Sequence, residues 1–305
     1  MIFKTLQVNN MKNRKSKISS IALIFSIYLL TFILVYFLFP IIPFDNTIIK
    51  VFSADILATF VVFIFSFAFN NSSIYDPYWS VIPPFIVVYL IQLFPDGNSV
   101  RQFIILILVF FWSIRLTINW LRSWQGLKHE DWRYISIAQK TGKLYWPVSF
   151  LGIHLMPTIF VFLGCLPLWF SLSNSTPFNF YDLIATVFTF CAILTEWISD
   201  EQLFRFRKLR QENSNMESGL WAISRHPNYL GEINFWIGIF LFVLSSSKFS
   251  GLNGLWTGIG FIAMILLFNF ISIPMMEKRN LIRKSDYEEY MRKVPALIPR
   301  LFTKQ

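Results

Sequence analysis

The apolar residues of this chain fall into eight long runs, and each has about the length that a helix needs to cross roughly 30 Å of hydrocarbon. A window of about 19 residues places them near Ile21–Phe39, Val51–Phe69, Trp79–Phe94, Gln102–Leu121, Pro147–Phe170, Tyr181–Ser199, Tyr229–Ser246 and Leu255–Met275. The fold class they predict is all-α, a polytopic transmembrane bundle. Side chains are 55% hydrophobic and 14% charged, against roughly 25% charged in soluble proteins. That excludes a disordered chain, a collagen and a small disulfide scaffold. Cys165 and Cys191 both sit inside apolar runs and read as packing residues. The third run carries Pro83-Pro84, which predicts a kinked or shallow span. The first run follows Lys12, Arg14, Lys15 and Lys17 but is too long for a signal peptide and lacks a small-residue cleavage site, so it reads as a helix.

The basic residues orient the bundle. With the N-terminus inside, the inside segments hold 23 of the 27 Lys and Arg residues, while the outside segments hold only Lys50, Arg101 and Lys248. The positive-inside rule then supports eight spans with both termini cytoplasmic. The net charge of +10 follows from this asymmetry and points to anionic membrane lipids as partners. No stacking platform accompanies the basic residues, so nucleic acid is not an expected partner. The soluble material is concentrated in 122–146, 200–228 and the tail after Met276.

Ionisable residues inside apolar runs cost a few kcal/mol each on insertion and are functional candidates for that reason. Here they are Asp55, Arg115, Asp182, Glu196, Asp200 and Glu232, with Asp76 at a span end. Asp55 and Asp182 lie close to their span starts and read as carboxylates beside helix N-termini. Arg115 reads either as a substrate-side cation or as the structural partner of Asp55 or Asp76.

The most informative segment is Ser218 to Glu232, which contains Arg225-His226-Pro227-Asn228-Tyr229-Leu230-Gly231-Glu232. Pro227 suits the first turn of a helix. Free backbone N–H groups beside the Arg225 guanidinium would make an anion site, suited to a phosphate. Asn228, Glu232 and Trp236 are spaced by four and share one face, where a carboxamide and a carboxylate suit recognition of an amide. Glu196, Asp200 and Arg207 likewise share a face, at spacings of four and seven.

This segment resembles the C-terminal domain of the steroid 5α-reductase superfamily, in particular its uncharacterised membrane branch. Other pieces match in order: Tyr75-Asp76-Pro77-Tyr78-Trp79-Ser80, Arg115-Leu116 with Asn119, Glu130-Asp131-Trp132-Arg133-Tyr134, Ser199-Asp200 with Arg205 and Arg207, and Tyr287-Glu288-Glu289-Tyr290 through Pro295 to Ile298-Pro299-Arg300. The resemblance runs from about Ser53 to the end. It divides the chain into an N-terminal arm with the first span, 1–52, and a reductase-like domain, 53–305.

The resemblance implies an integral membrane enzyme that uses NADPH to reduce a carbon–carbon double bond conjugated to a carbonyl in a hydrophobic, lipid-like substrate. Its membrane would be the endoplasmic reticulum in a eukaryote or the inner membrane in a bacterium. The resemblance matches Asn228 and Glu232 to the pair that holds the cofactor, and Asp200 with Arg207 to an upstream acidic and basic pair; Arg225, His226 and Tyr229 of the same motif complete the expected cofactor-binding set. On the substrate side it points to Asp76, Arg115 and Tyr78. The family's carbonyl-donating tyrosine is replaced here by Trp112, so the donor must come from elsewhere; Tyr75, Tyr78 and Tyr134 are the candidates.

The rival enzyme class is a membrane methyltransferase of the isoprenylcysteine carboxyl type, which binds S-adenosylmethionine and shares an Arg-His-Pro-x-Tyr-x-Gly motif; Glu277-Lys278-Arg279 fits it. Glu232 directly after Gly231 and the Asp200-to-Arg207 element favour the reductase. A channel or transporter is the non-enzymatic alternative, and too few polar residues line any one span to favour it. Gly258-Ile259-Gly260-Phe261-Ile262-Ala263 matches a dinucleotide fingerprint only as a string, with no strand before it. His129, His154 and His226 are too scattered for a metal site. Asn174-Ser175-Thr176 is a glycosylation sequon with meaning only in a secretory membrane.

Overall fold

In lipid every backbone N–H and C=O must find its partner within the protein, which a helix achieves within one segment. The computed structural model describes residues 2–209, 214–245 and 254–299. Ser246, Lys248 and Arg300, used above, lie outside the described residues. Among those described there are helices and no strands. Eight stretches are long and apolar enough to cross a membrane: Ser16–Ile41, Thr47–Ala68, Ser72–Leu93, Ser99–Ser123, Trp132–Ser173, Phe180–Leu209, Pro227–Leu244 and Leu255–Arg283. These are the eight runs of the sequence, and the protein is a multi-pass membrane protein.

The helices in chain order are α1 (Ile2–Leu38), α2 (Thr47–Ala68), α3 (Tyr78–Leu93), α4 (Ser99–Ser123) and α5 (Trp132–Thr141). The fifth span continues through α6 (Tyr145–Ser149), a π-helical turn at Phe150–Leu155, α7 (Met156–Cys165) and α8 (Pro167–Ser173). Then come α9 (Phe180–Leu209), α10 (Pro227–Leu244), α11 (Ile259–Leu267), a second π turn at Phe268–Ser272, α12 (Ile273–Arg283) and α13 (Tyr287–Lys293).

Local chemistry sets several of the ends. Asn46 caps α2 by accepting from the N–H groups of Ile48 and Ile49 at 2.9 and 3.2 Å. Asn98 accepts from Arg101 N at 3.0 Å ahead of α4, Asn179 from Tyr181 N at 2.9 Å ahead of α9, and Asp131 from Arg133 N at 2.8 Å ahead of α5. Each satisfies a backbone donor that the first helical turn leaves unpaired. The helix α3 is continuous through Pro83 and Pro84. The glycine string at 258–263 lies in a 3₁₀ turn and the start of α11, far from any Rossmann context.

The chain divides into two compact units, Met1–Ile86 with Leu116–Phe162, and Val87–Arg115 with Leu163–Gln305. In the first, α2 carries a buried polar seam. The Tyr78 phenol donates to Asp55 Oδ1 at 2.9 Å, the Thr59 and Thr158 hydroxyls meet at 2.7 Å, and Tyr75 reaches Thr158 at 2.7 Å. His154, fully buried in the π turn, sits 3.0 Å from both Ser66 Oγ and the Ser149 carbonyl. Nearer Glu130, Ser72 bonds Tyr145 and Ser149, and Tyr145 donates to Glu130 at 3.1 Å. Hydroxyl pairs of this kind hold membrane helices together where no hydrophobic difference from lipid exists to do so.

In the second unit a fully buried ion pair joins the beginnings of α4 and α9. Arg101 Nε and Nη2 bind Asp182 at 2.7 and 2.8 Å. Nη1 and Nη2 also reach the carbonyls of Asn174 and Thr176 at 2.8 and 3.2 Å. Asp182 accepts from Asn179 N as well, at 3.0 Å. Asp182 is therefore the anchor of a guanidinium, where its place near a span start had suggested only a carboxylate facing headgroups.

The basic-residue asymmetry predicts an orientation for this bundle, and orientation is directly measurable. Cysteines introduced at the exposed positions Ser175 and Glu288 are expected to react with a membrane-impermeant maleimide from opposite sides. Reaction of both from one side would refute the placement of the termini.

Candidate functional site

The strongest concentration of buried charge lies on α4, α9 and α10 of the second unit. Two glycines bring α9 and α10 together. A Cβ on Gly231 would run into the side chain of Glu196, and one on Gly238 into Thr189. Seven residues up α10 thus correspond to seven residues down α9, so the helices are antiparallel in fixed register. Small residues permit this approach of two backbones in lipid. The register sets Glu232 level with Glu196, and Asn228 level with Ser199 and Asp200.

Into this pair α4 projects Arg115. Its Nη1 donates to Asp200 Oδ2 at 2.5 Å, its Nη2 lies 3.3 Å from Glu232 Oε2, and Nη2 also pairs with Glu196 Oε2. Glu232 is held further by two indoles: Trp236 Nε1 donates to Oε1 at 2.9 Å and Trp112 Nε1 to Oε2 at 3.1 Å. Trp112 stacks on Phe235 with ring centroids 4.6 Å apart, which seals that side. Arg115 and its three carboxyl partners are all buried, Glu196 completely. The partners of Arg115 are these three, where the structural alternative read from the sequence named Asp55 or Asp76.

The cluster leaves specific polar atoms unsatisfied. Arg115 Nε, Glu196 Oε1 and Asn228 Oδ1 are buried and have no hydrogen-bond partner. Buried polar groups are nearly always bonded, so such atoms call for an explanation. Arg207, exposed near the end of α9, acts electrostatically on Asp200.

Arg225 and His226 have a different environment. Arg225 Nε and Nη2 bind Glu277 at 2.8 and 2.7 Å, and Nη1 donates to the carbonyls of Met291, at 3.0 Å, and Val294. The Arg225 and His226 backbone N–H groups donate to Pro295 and Ala296 at 2.9 and 3.1 Å. His226 Nε2 lies 3.2 Å from Glu277 Oε1, and its ring stacks on Tyr229 at 5.2 Å, which in turn meets Phe268 at 4.8 Å. The Tyr290 phenol, which burial pushes well above the usual range so that it keeps its proton, donates to the Trp221 carbonyl at 2.5 Å. The guanidinium of Arg225 is thus largely committed to fastening segment 286–296 to the start of α10.

Asp76 and Tyr78 belong to the first unit, at the start of α3. They are two residues apart yet face different partners: Tyr134 donates to Asp76 Oδ1 at 2.5 Å, while Tyr78 donates to Asp55. Each forms a phenol–carboxyl pair. Sequence reading missed Asp55 as the partner of Tyr78 and gave Glu196 no separate role; its one signal was that both are carboxylates inside apolar runs. Among the described residues no group of three His, Cys, Asp or Glu side chains is arranged to hold a metal ion.

The model of the family described as a protein of unknown function, DUF1295, matches residues 62–294, and so takes in all of the charged cluster. The chain belongs to that family. It is also similar to the uncharacterized protein C594.04c of Schizosaccharomyces pombe, 25% identical over 260 residues that cover 76% of this chain and 74% of the relative. No solved structure matches.

Two substitutions separate the cluster from the tail contact. Arg115→Met leaves three buried carboxyls without their cation, and should lower stability by about 3–5 kcal/mol, read as loss of folded protein in detergent. Arg225→Ala should release the 286–296 segment to limited proteolysis at a cost of about 1.5–3 kcal/mol. A loss that instead tracks salt concentration, with the tail still protected, would return Arg225 to an anion-binding role.

Proposed function

We propose that this protein is an integral membrane reductase that uses NADPH to saturate a carbon–carbon double bond conjugated to a carbonyl in a hydrophobic, lipid-like substrate. The reading is carried by one observation: in the unit that holds the Arg115 cluster, a buried donor, Arg115 Nε, and a buried acceptor, Asn228 Oδ1, have no partner within the protein. A carboxamide such as that of nicotinamide has one carbonyl and one NH₂ group, and so suits both atoms at once. The ordered resemblance to the steroid 5α-reductase superfamily supports the same ligand.

When bound, NADPH supplies the hydride; binding, orientation and charge control belong to the chain. In this reading Asn228 accepts from the carboxamide N–H, and Arg115 Nε donates to its carbonyl. Asp200 and Glu232 hold the guanidinium in place for that contact. Arg207 carries positive charge toward the phosphate end, and the ring pair of His226 and Tyr229 shapes the start of α10. The first unit contains two phenol–carboxyl pairs, Tyr78 with Asp55 and Tyr134 with Asp76, of the type that donates to a carbonyl oxygen as negative charge builds on it.

Purified full-length protein is expected to gain thermal stability with NADPH in a saturable manner. Asn228→Leu should weaken that binding by about 1–3 kcal/mol while changing the stability of the protein alone much less, because Asn228 Oδ1 accepts no hydrogen bond from the protein. Saturable stabilisation by S-adenosylmethionine, with indifference to NADPH, would replace the reductase with the methyltransferase.

A further inference from the structure

The Arg115 cluster contains more negative charge than its cation balances. Asp200 takes Nη1 of Arg115 and has Arg207 within electrostatic reach. Glu196 and Glu232 are left to share Nη2. Glu232 accepts from Trp112, Trp236 and Arg115. Glu196, with no exposed surface, receives no donor at Oε1, and its carboxyl lies within hydrogen-bonding reach of that of Glu232. Two carboxylates this close, away from water, repel strongly, and the usual resolution is one proton between them.

We propose that Glu196 and Glu232 share one dissociable proton in the resting protein and release it when positive charge enters the site. Retention of the proton satisfies the orphan Oε1 and leaves a single negative charge on the pair. Loss of the proton breaks one O–H bond, passes the proton to solvent and doubles that charge. A cationic ligand group is favoured only in the second state, and a neutral one is accommodated in the first. The inference rests on the nicotinamide reading for its ligand, since the oxidised ring carries one positive charge that the reduced ring lacks. The pair would then match the charge of whichever form is bound.

Two measurements on the full-length protein in detergent decide the matter. Infrared spectroscopy of the unliganded protein is expected to show the carbonyl band of a buried protonated carboxylic acid. The band should vanish in Glu196→Gln, with Glu232→Gln as the second variant. Calorimetry in buffers of different ionisation enthalpy should show about one proton released on NADP⁺ binding and none on NADPH binding, a difference that Glu196→Gln abolishes. Absence of the infrared band overturns the shared proton whatever binds. Equal proton release with both nucleotides overturns the charge linkage. If the band is present and neither nucleotide binds, the nicotinamide reading fails and the shared proton stands.

Discussion

A single buried guanidinium organises the second unit. Arg115 arrives from α4 and meets carboxyls that α9 and α10 contribute, so three helices distant in sequence are tied at one point. Breaking such a contact in lipid strands charge that has no water to turn to. The close approach at Gly231 makes the contact possible, because any larger residue would push α10 away from Glu196. Packing and electrostatics are therefore one constraint here. The glycines set the register, and the register sets which acids face the arginine.

The same principle recurs at other depths with different chemistry. Arg101 and Asp182 join helix beginnings through a bidentate pair with every contact satisfied. Arg225 holds Glu277 and two carbonyls of the C-terminal segment, again with nearly all its donors used. Arg115 differs from both. Its Nε has no partner within the protein, and neither do Glu196 Oε1 and Asn228 Oδ1 of the same unit. Fully bonded pairs act as fasteners, whereas an incompletely bonded cluster has capacity left for a ligand.

The first unit obtains its cohesion from hydroxyls, phenols and one histidine along α2. Asp55 and Asp76 are bonded by tyrosines and not by arginines. A phenol satisfies a buried carboxyl without itself adding a charge, although the Arg133 guanidinium also acts electrostatically on Asp76.

Much of the architecture is legible in the sequence because its cause is one-dimensional. Apolar run length determines that there are eight spans, and asparagine or aspartate ahead of a run determines where several helices begin. Helical spacing determines that Asn228 shares a face with Glu232, and Glu196 with Asp200. The same spacing says nothing of what stands opposite that face. Whether Arg115 meets Asp55, Asp76 or the α9–α10 acids depends on the register between separate helices, and two glycine contacts decide it. Likewise the motif Arg225-His226 reads as an open anion site until the chain brings Glu277, Met291 and Val294 back to it, more than fifty residues later. Sequence determined that the charges inside apolar runs are buried, but not that Arg101 and Arg225 are; the tertiary structure decided that, and which charges are neutralised, because pairing across helices is a property of their packing and not of either helix alone.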